Sequence, residues 1–232
     1  MVWRSRSCAI SPTTFSSRSS ADSVIRYRHP CRTRAGSPDL AVDFNYRKAA
    51  VRALTNRIGV YVLADLDNVP IYVGQSKDGI RARVSRHLTS ARSDIIANRQ
   101  IDVWEIAYVW AYPVEDKSEI NDLEAILFHH FDPVSQLMNG TLPRSPAALP
   151  DLPAPAQVVQ VMSDDEINDR KQPEQRLPRQ ANHYAEIVDH FLTVKNSSQI
   201  ARAMNAHFER LKRYHALLLG KAETDPADKD DG

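Results

Sequence analysis

The chain has 232 residues, a formal net charge of +1 and only two cysteines. This length allows one large domain, or a small domain with additions. No apolar run approaches the roughly 18 residues that a membrane-spanning helix needs, which excludes a membrane-spanning protein. The charge balance gives no overall signal for nucleic acid, so any DNA-binding face must come from local clustering. Cys8 and Cys31 both lie in a tail without folding pattern, which excludes a disulfide framework and a cysteine zinc site.

The N-terminal tail, residues 1–40, is rich in Ser and Arg and nearly free of acids. It shows no lasting apolar periodicity, which predicts disorder. Its composition is typical of a mitochondrial transit peptide. We favour the alternative of a start codon assigned too far upstream. In that case these residues belong to no fold and the protein is cytoplasmic.

A hairpin is predicted near the start of the folded part. A short helical pattern covers residues 46–55, and β-favouring segments follow at 58–64 and 69–74. Turn-forming Asp65-Leu66-Asp67-Asn68 joins the two segments. Pro70 lacks a backbone donor, which indicates an edge strand or the very start of the second strand.

Two helices and a third strand are predicted after the hairpin. Residues 79–91 carry apolar side chains at a spacing of four, which favours a helix. Residues 103–112 alternate as a strand does. Residues 118–131 have an inward-facing apolar stripe, with Ser118 as the predicted N-cap.

The order β-β-α-β-α predicts an α+β fold, with helices packed on a small three-stranded sheet within residues 41–140. Residues 141–181 are rich in Pro, which predicts a linker. Two apolar stripes in residues 182–220 predict a helical hairpin. Packing or homodimerisation through this hairpin is favoured over DNA reading by a helix-turn-helix. Residues 221–232 form an acidic tail.

Two tripeptides stand one hairpin apart, Gly59-Val60-Tyr61 and Tyr72-Val73-Gly74. Side chains alternate along a strand, so each tyrosine shares a face with its glycine. The two phenols can therefore face one cleft, and the glycines can leave room for a ligand near the backbone. A lone strand tyrosine is usually a packing residue, but the pair with flanking glycines favours function.

A basic helix follows the second tripeptide. Arg83 and His87 are four residues apart and therefore lie on one helix face. Cations in such a place supply phosphate contacts that do not depend on DNA sequence. A charge run alone usually marks a solvated face, but this one directly follows the tyrosine strings. The candidate nucleic-acid-binding residues are Lys77, Arg81, Arg86 and Arg92.

Glu124 lies beside the apolar stripe of its helix. A partly buried carboxylate needs a partner, since desolvating an unpaired charge is costly. A hard cation such as Mg²⁺ and a salt bridge to arginine both meet that need, and the helix pattern alone favours the salt bridge. Asn139 is expected to hold its loop through side-chain hydrogen bonds.

Together, residues 58–140 resemble the catalytic module of the GIY-YIG nucleases. The resemblance depends on the two tripeptides, the Arg-Val-Ser-Arg-His segment, a glutamate on the later helix and an asparagine at the end, all in the family's order. It implies that Tyr61 and Tyr72 are catalytic phenols, that Arg83 stabilises the phosphate and that Glu124 binds Mg²⁺ or Mn²⁺. His87 stands where homing and restriction members of the family carry histidine.

The implied activity is metal-dependent hydrolysis of DNA phosphodiesters by an activated water. Nearby cations are expected to favour the phenolate of Tyr61, which then takes the proton of the water, assisted by His87. Gln75 replaces a lysine of the excision-repair members, which favours a restriction-type or mobile-element enzyme. The alternative is a non-catalytic DNA- or protein-binding module on the same fold.

Overall fold

A four-stranded antiparallel sheet with helices on both faces forms the centre of the protein. The computed structural model describes residues 44–89 and 100–220, so the predicted tails at 1–40 and 221–232 lie outside the described residues. Among the described helices, none is long and apolar enough to cross a membrane. The elements are α1 (Phe44–Ala53), β1 (Gly59–Ala64), β2 (Pro70–Ser76), α2 (Ile80–Thr89), a 3₁₀ turn (Val103–Glu105), β3 (Tyr108–Pro113), α3 (Glu119–Phe131), β4 (Gln157–Gln160), α4 (Asp164–Lys171), α5 (Pro173–Thr193) and α6 (Ser198–Leu218).

The sheet has the strand order β2-β1-β3-β4. Tyr61 on β1 lies opposite Gly74 on β2 and opposite Ala111 on β3. The predicted α+β class is confirmed, but the sheet has four strands rather than three. The fourth strand, β4, pairs with β3 and comes from residues that we predicted to be linker.

The two faces of β1 enter two different cores because its side chains alternate. Tyr61 and Leu63 pack with apolar residues of α1 and α2. Val60 and Val62 pack with α3 on the other face. Since β1 is covered on both faces, all six of its residues are buried.

The hairpin turn is stabilised by the first aspartate. Asp65 Oδ1 accepts hydrogen bonds from Asp67 N at 2.9 Å and from Val69 N at 3.0 Å. Asn68 takes a left-handed φ of 60°, which asparagine tolerates. Pro70 is the first residue of β2, which lies at the sheet edge, as the missing donor predicted.

One local prediction is wrong, and a second is confirmed only for the position of the residue. The third strand begins at Tyr108, because residues 103–105 form a 3₁₀ turn in which Asp102 accepts a hydrogen bond from Trp104 N at 3.0 Å. Ser118 does stand before α3, but its side chain makes no capping bond. Instead, Asp116 Oδ1 accepts a bond from Ser118 N at 2.8 Å.

The predicted linker contains regular structure from residue 157 onward, namely β4, α4 and the start of α5. The high proline content led to the linker prediction. Pro173 nevertheless lies in the first turn of α5, where the missing N–H removes no hydrogen bond. The predicted helix pair is confirmed as α5 and α6, which pack against each other. Ser197 caps α6 by accepting a bond from Ile200 N at 3.4 Å.

Buried ion pairs fix the helix pair to the β1–β2 turn and the 3₁₀ turn. Arg176 Nε donates to Glu105 Oε1 at 2.8 Å, and Arg176 Nη1 donates to Asp67 Oδ2 at 2.5 Å. Arg210 Nη1 donates to Asp65 Oδ2 at 3.0 Å. Desolvated charges of this kind are tolerated only with good partners, so the helix pair and the sheet depend on each other.

A buried histidine lies between α6 and the residues before the 3₁₀ turn. His207 Nε2 is 3.0 Å from the carbonyl oxygen of Gln100, and the ring centroids of His207 and His183 are 4.8 Å apart. Burial is the main cause that lowers the pKa of His207 to about 3, and His183 adds to it. The ring is therefore neutral and donates its Nε2 proton to the carbonyl.

Candidate active site

Tyr61 and His87 form a buried pair between β1 and α2. The Tyr61 hydroxyl lies 2.6 Å from His87 Nε2, and both side chains are 1% exposed. The Tyr72 ring completes the group, with its centroid 6.4 Å from that of Tyr61 and 6.3 Å from that of His87. The hairpin and the last turn of α2 thus bring together three of the residues that the sequence singled out.

The two motif glycines leave room for protein atoms rather than for a ligand. A Cβ on Gly74 would come within 2.5 Å of Tyr61 Cζ and 2.7 Å of Tyr72 Cε1, since both rings cross its backbone. A Cβ on Gly59, at φ +150°, would lie 2.8 Å from the Cα of Pro113 on β3. The prediction that these glycines admit a ligand is therefore wrong.

The protonation state of Tyr61 also differs from the expectation. Burial raises its pKa well above the usual value for a phenol, and Tyr72 adds to the increase. Arg83 opposes this through its charge and a hydrogen bond, but it does not reverse the direction. Desolvation outweighs the one nearby cation, so the neutral phenol is favoured here over the expected phenolate. The neutral phenol shares the short hydrogen bond with His87 Nε2.

A cleft of about 350 Å³ lies beside Tyr72 at the open edge of the sheet. Because β2 is the edge strand, residues from both faces of the sheet can reach it. Tyr72 and Arg83 come from the face that α2 covers, and Glu124 comes from α3 on the opposite face. All three line this one cleft, whereas Tyr61 lies beneath it.

Glu124 is held in the cleft by an amide from the edge strand. Gln75 Nε2 donates to Glu124 Oε2 at 2.8 Å and approaches Asn121 Oδ1 at 3.3 Å. Burial raises the pKa of Glu124, while the bond from Gln75 and the charge of Lys77 act in the lowering direction. The hydrogen-bond partner of this carboxylate is thus the neutral amide of Gln75 and not the arginine that the helix pattern favoured.

Asn139 joins the segment after α3 to the edge of β2. Its Oδ1 accepts a bond from Val73 N at 3.0 Å and its Nδ2 donates to Val73 O at 2.6 Å. Met138 N donates to Ile71 O at 2.8 Å, so two successive residues pair with the strand edge. Arg202 of α6 donates to the Asn139 carbonyl at 3.0 Å. These bonds place the following residues, Gly140 and Thr141, in the cleft wall.

The family model of the GIY-YIG catalytic domain matches residues 57–139. Residues 57–139 form a GIY-YIG catalytic domain. The match spans both tyrosine strands, α2, α3 and the asparagine that closes the loop. It implies a nuclease-type activity and a DNA substrate. No curated protein and no solved structure matches the chain.

The predicted DNA-binding cations of the GIY-YIG domain occupy different places. Lys77 and Arg86 are exposed and, with Arg83, line a recess of about 80 Å³ next to the cleft. Arg81 Nε donates to the Leu54 carbonyl at 2.7 Å, so this side chain also joins α2 to the end of α1. Arg92 lies outside the described residues.

The donor set of the GIY-YIG domain fits a hard divalent cation. Mg²⁺ is often held by one or two carboxylates with several waters and substrate phosphates, rather than by a full protein cage. Glu124 provides one such carboxylate at the cleft. Gln75 Oε1 is a second oxygen, buried and without a hydrogen-bond partner among the described residues. Within that same part of the chain, no group of three His, Cys, Asp or Glu side chains forms a complete metal site.

Several residues of the cleft were not among the sequence candidates. Gln100, Thr141 and Gln199 line it, and Gln75 was noted only as a departure from the family pattern. Thr141 could have been found from its closeness to Asn139 in sequence. Nothing local points to Gln199, because the packing of α6 on the GIY-YIG domain brings it there.

Proposed function

We propose that the protein is a metal-dependent DNA endonuclease that hydrolyses phosphodiester bonds at this cleft. The observation that carries the proposal is the meeting of Tyr72, Arg83 and Glu124 in one cleft, directly above the Tyr61–His87 pair. A general base for the water and a cation at the phosphate both promote phosphodiester hydrolysis, and these groups can supply them.

Arg83 is the proposed phosphate-binding residue. Its planar guanidinium can donate to two phosphate oxygens at once and offset the negative charge that grows in the transition state. Lys77 and Arg86, in the adjoining recess, are placed to bind phosphates on the same side of the scissile bond.

Tyr61 and His87 form the proposed proton path. Tyr61 takes the proton of the attacking water while its own proton passes to His87 Nε2 across the 2.6 Å hydrogen bond. This relay does not need a phenolate, which the raised pKa of Tyr61 disfavours. An imidazole accepts a proton near neutral pH far more readily than a phenol does.

Glu124 is the proposed ligand of Mg²⁺ or Mn²⁺, and Gln75 orients its carboxylate. When bound, such an ion acts as a Lewis acid on a phosphate or leaving oxygen. Tyr72, which lines the cleft, is placed to hydrogen-bond the phosphate group from the side of β2.

The direct test is incubation of supercoiled plasmid with purified protein and Mg²⁺ or Mn²⁺. We expect nicked or linear product with the wild-type protein, and none when EDTA replaces the metal. Tyr61→Phe, which keeps the ring and removes the hydroxyl, should lose most of the activity. Full activity in that variant would refute the proton path.

A restriction-type or mobile-element role is part of the proposal, supported by Gln75 in place of lysine and by His87. A methyltransferase gene beside the gene for this chain would support restriction. Wild-type protein that restores ultraviolet resistance to a repair-deficient cell would instead count against this role.

A non-catalytic DNA-binding module is the second candidate. The burial of Tyr61 beneath the cleft favours it, since a general base normally has to reach its water. This candidate predicts DNA binding without cleavage under every divalent metal tested. The plasmid assay, run beside a binding assay on the same preparation, separates the two candidates.

A homodimer through the C-terminal helices is a further part of the proposal. Leu192 on α5 and Phe208 on α6 are 71% and 44% exposed, as apolar residues at an interface would be in the isolated chain. Sedimentation velocity of the wild type and of a Leu192→Glu/Phe208→Glu variant tests it. A monomer at all concentrations would exclude the dimer.

A further inference from the structure

The catalytic cleft continues into hollows on both sides. The recess beside Arg86 and the cleft share Gln75 and Arg83 in their walls. On the other side, a groove of about 750 Å³ shares Glu124 and Pro143 with the cleft. Recess, cleft and groove therefore adjoin one another in this order, and together they are called here the trough.

The groove end of the trough lies between α3 and residues 143–148. Two histidines of α3 hold this segment in place. His129 Nε2 lies 3.3 Å from the Pro143 carbonyl oxygen, and His130 Nε2 lies 2.7 Å from that of Pro150. The groove thus has a defined second wall, although its sequence is rich in proline and was predicted to be linker.

Charge is distributed along the trough in a way that suits a polyanion. Lys77 and Arg86 lie at the recess end and Arg83 at the middle. Arg144 is exposed at the groove end, where it lines the wall opposite α3. Three carboxylates line the trough as well: Asp78 in the recess, Glu124 between cleft and groove, and Asp122 in the groove.

We propose that the trough is the path of the cleaved DNA strand, and that Arg144 binds a backbone phosphate on the side of the scissile bond away from Arg86. This inference rests on the proposed function, because the scissile phosphate defines the middle of the trough. Phosphate contacts on both sides fix the register of a strand over a catalytic centre. Arg144 lies outside residues 57–139, so the added segment extends the surface that binds substrate.

DNA binding without cleavage tests the proposal. Wild-type protein, Arg144→Ala and Lys212→Ala are titrated against a fluorescein-labelled single strand, and against the duplex of the same sequence, in EDTA at several salt concentrations. Lys212 is a matched control, since it is an exposed cation near the far end of α6 that pairs with Glu209 at 2.6 Å. Thermal melts check that each variant is folded.

We expect Arg144→Ala to weaken binding about three- to ten-fold and to reduce the salt slope of log K by about 0.7–0.9, the loss of one phosphate contact. Lys212→Ala should bind as the wild type does. If Arg144→Ala matches the wild type in both affinity and salt slope, the proposed strand path is wrong. That result would not bear on the proposed nuclease function. If the wild type binds no DNA at all, the proposed nuclease function itself fails.

Discussion

Gln75 Nε2 lies 2.8 Å from Glu124 Oε2, and this bond joins the edge strand to the helix on the far face of the sheet. The carboxylate is thereby held at the cleft by a neutral donor that does not compete with a cation for its charge. A lysine at this position would form an ion pair with Glu124 instead.

Glu124→Gln should abolish cleavage while leaving DNA binding intact. The amide keeps the shape of the side chain but is a poor ligand for a hard cation. We expect the rate to fall by at least about a hundred-fold, the scale of losing an electrostatic contribution to the transition state. Calorimetric titration with Mg²⁺ should show weaker binding. The same substitution at exposed Glu119, on the same helix, is the control and should change neither measurement.

On acidification, metal binding should start to weaken at a higher pH than it would at a glutamate whose pKa is not raised. Burial raises the pKa of Glu124, so the carboxyl holds its proton at pH values where an exposed glutamate is ionised. Only the ionised form binds metal, and affinity therefore falls as the pH falls through that raised pKa. Gln75→Leu removes a lowering contribution and should move the acid limb of Mg²⁺ affinity to still higher pH. An unshifted limb in this variant would contradict the coupling.

Gly74→Ala should destabilise the fold and disorder the tyrosine pair. The new Cβ would overlap the rings of Tyr61 and Tyr72, which are packed against β1 and α2. Overpacking of this kind costs about 1–3 kcal/mol of unfolding free energy. Urea denaturation of the wild type and the variant measures it. A variant as stable as the wild type would refute the steric argument.

Much of this site could be predicted from local sequence, because neighbouring elements build it. The two tripeptides, Arg83 and His87 all lie within one hairpin and the helix after it, so short-range periodicity predicted that they lie close together. The protonation state of Tyr61 could not be predicted, because it depends on burial beneath neighbouring elements. Likewise, Gln199 reaches the cleft only through long-range packing, and β4 was hidden in a proline-rich segment.

Arg176→Met should be among the most destabilising single changes in the helix pair. It leaves the buried Glu105 carboxylate without its main cation, whose loss we expect to cost about 3–5 kcal/mol. Adding Glu105→Gln should recover part of that loss, since the unpaired charge is then gone. Breaking the exposed Lys212–Glu209 pair should cost less than about 1 kcal/mol. Urea denaturation of the wild type, Arg176→Met, Arg176→Met/Glu105→Gln and a variant without the Lys212–Glu209 pair measures these differences in unfolding free energy.

Acid should destabilise the protein through His207. Its pKa is about 3 in the folded state, below the usual 6.5, so the unfolded chain binds the extra proton first. Stability is therefore fully present above pH 6.5 and declines as the pH falls from there toward 3, by up to about 1.4 kcal/mol per pH unit. His207→Gln keeps a donor for the Gln100 carbonyl and should show a smaller decline. A wild type whose melting temperature does not change between pH 7 and pH 5 would contradict this.

The ion pairs between the helix pair and the hairpin turn determine which part of this protein can be separated from the rest. Asp65 and Glu105 belong to the catalytic segment, while their cations, Arg210 and Arg176, are supplied from beyond residue 139. A fragment that ends at residue 139 would bury the carboxylates of Asp65 and Glu105 without these cations. Chimeric proteins that use this GIY-YIG domain therefore have to include the C-terminal helices as part of the transplanted unit.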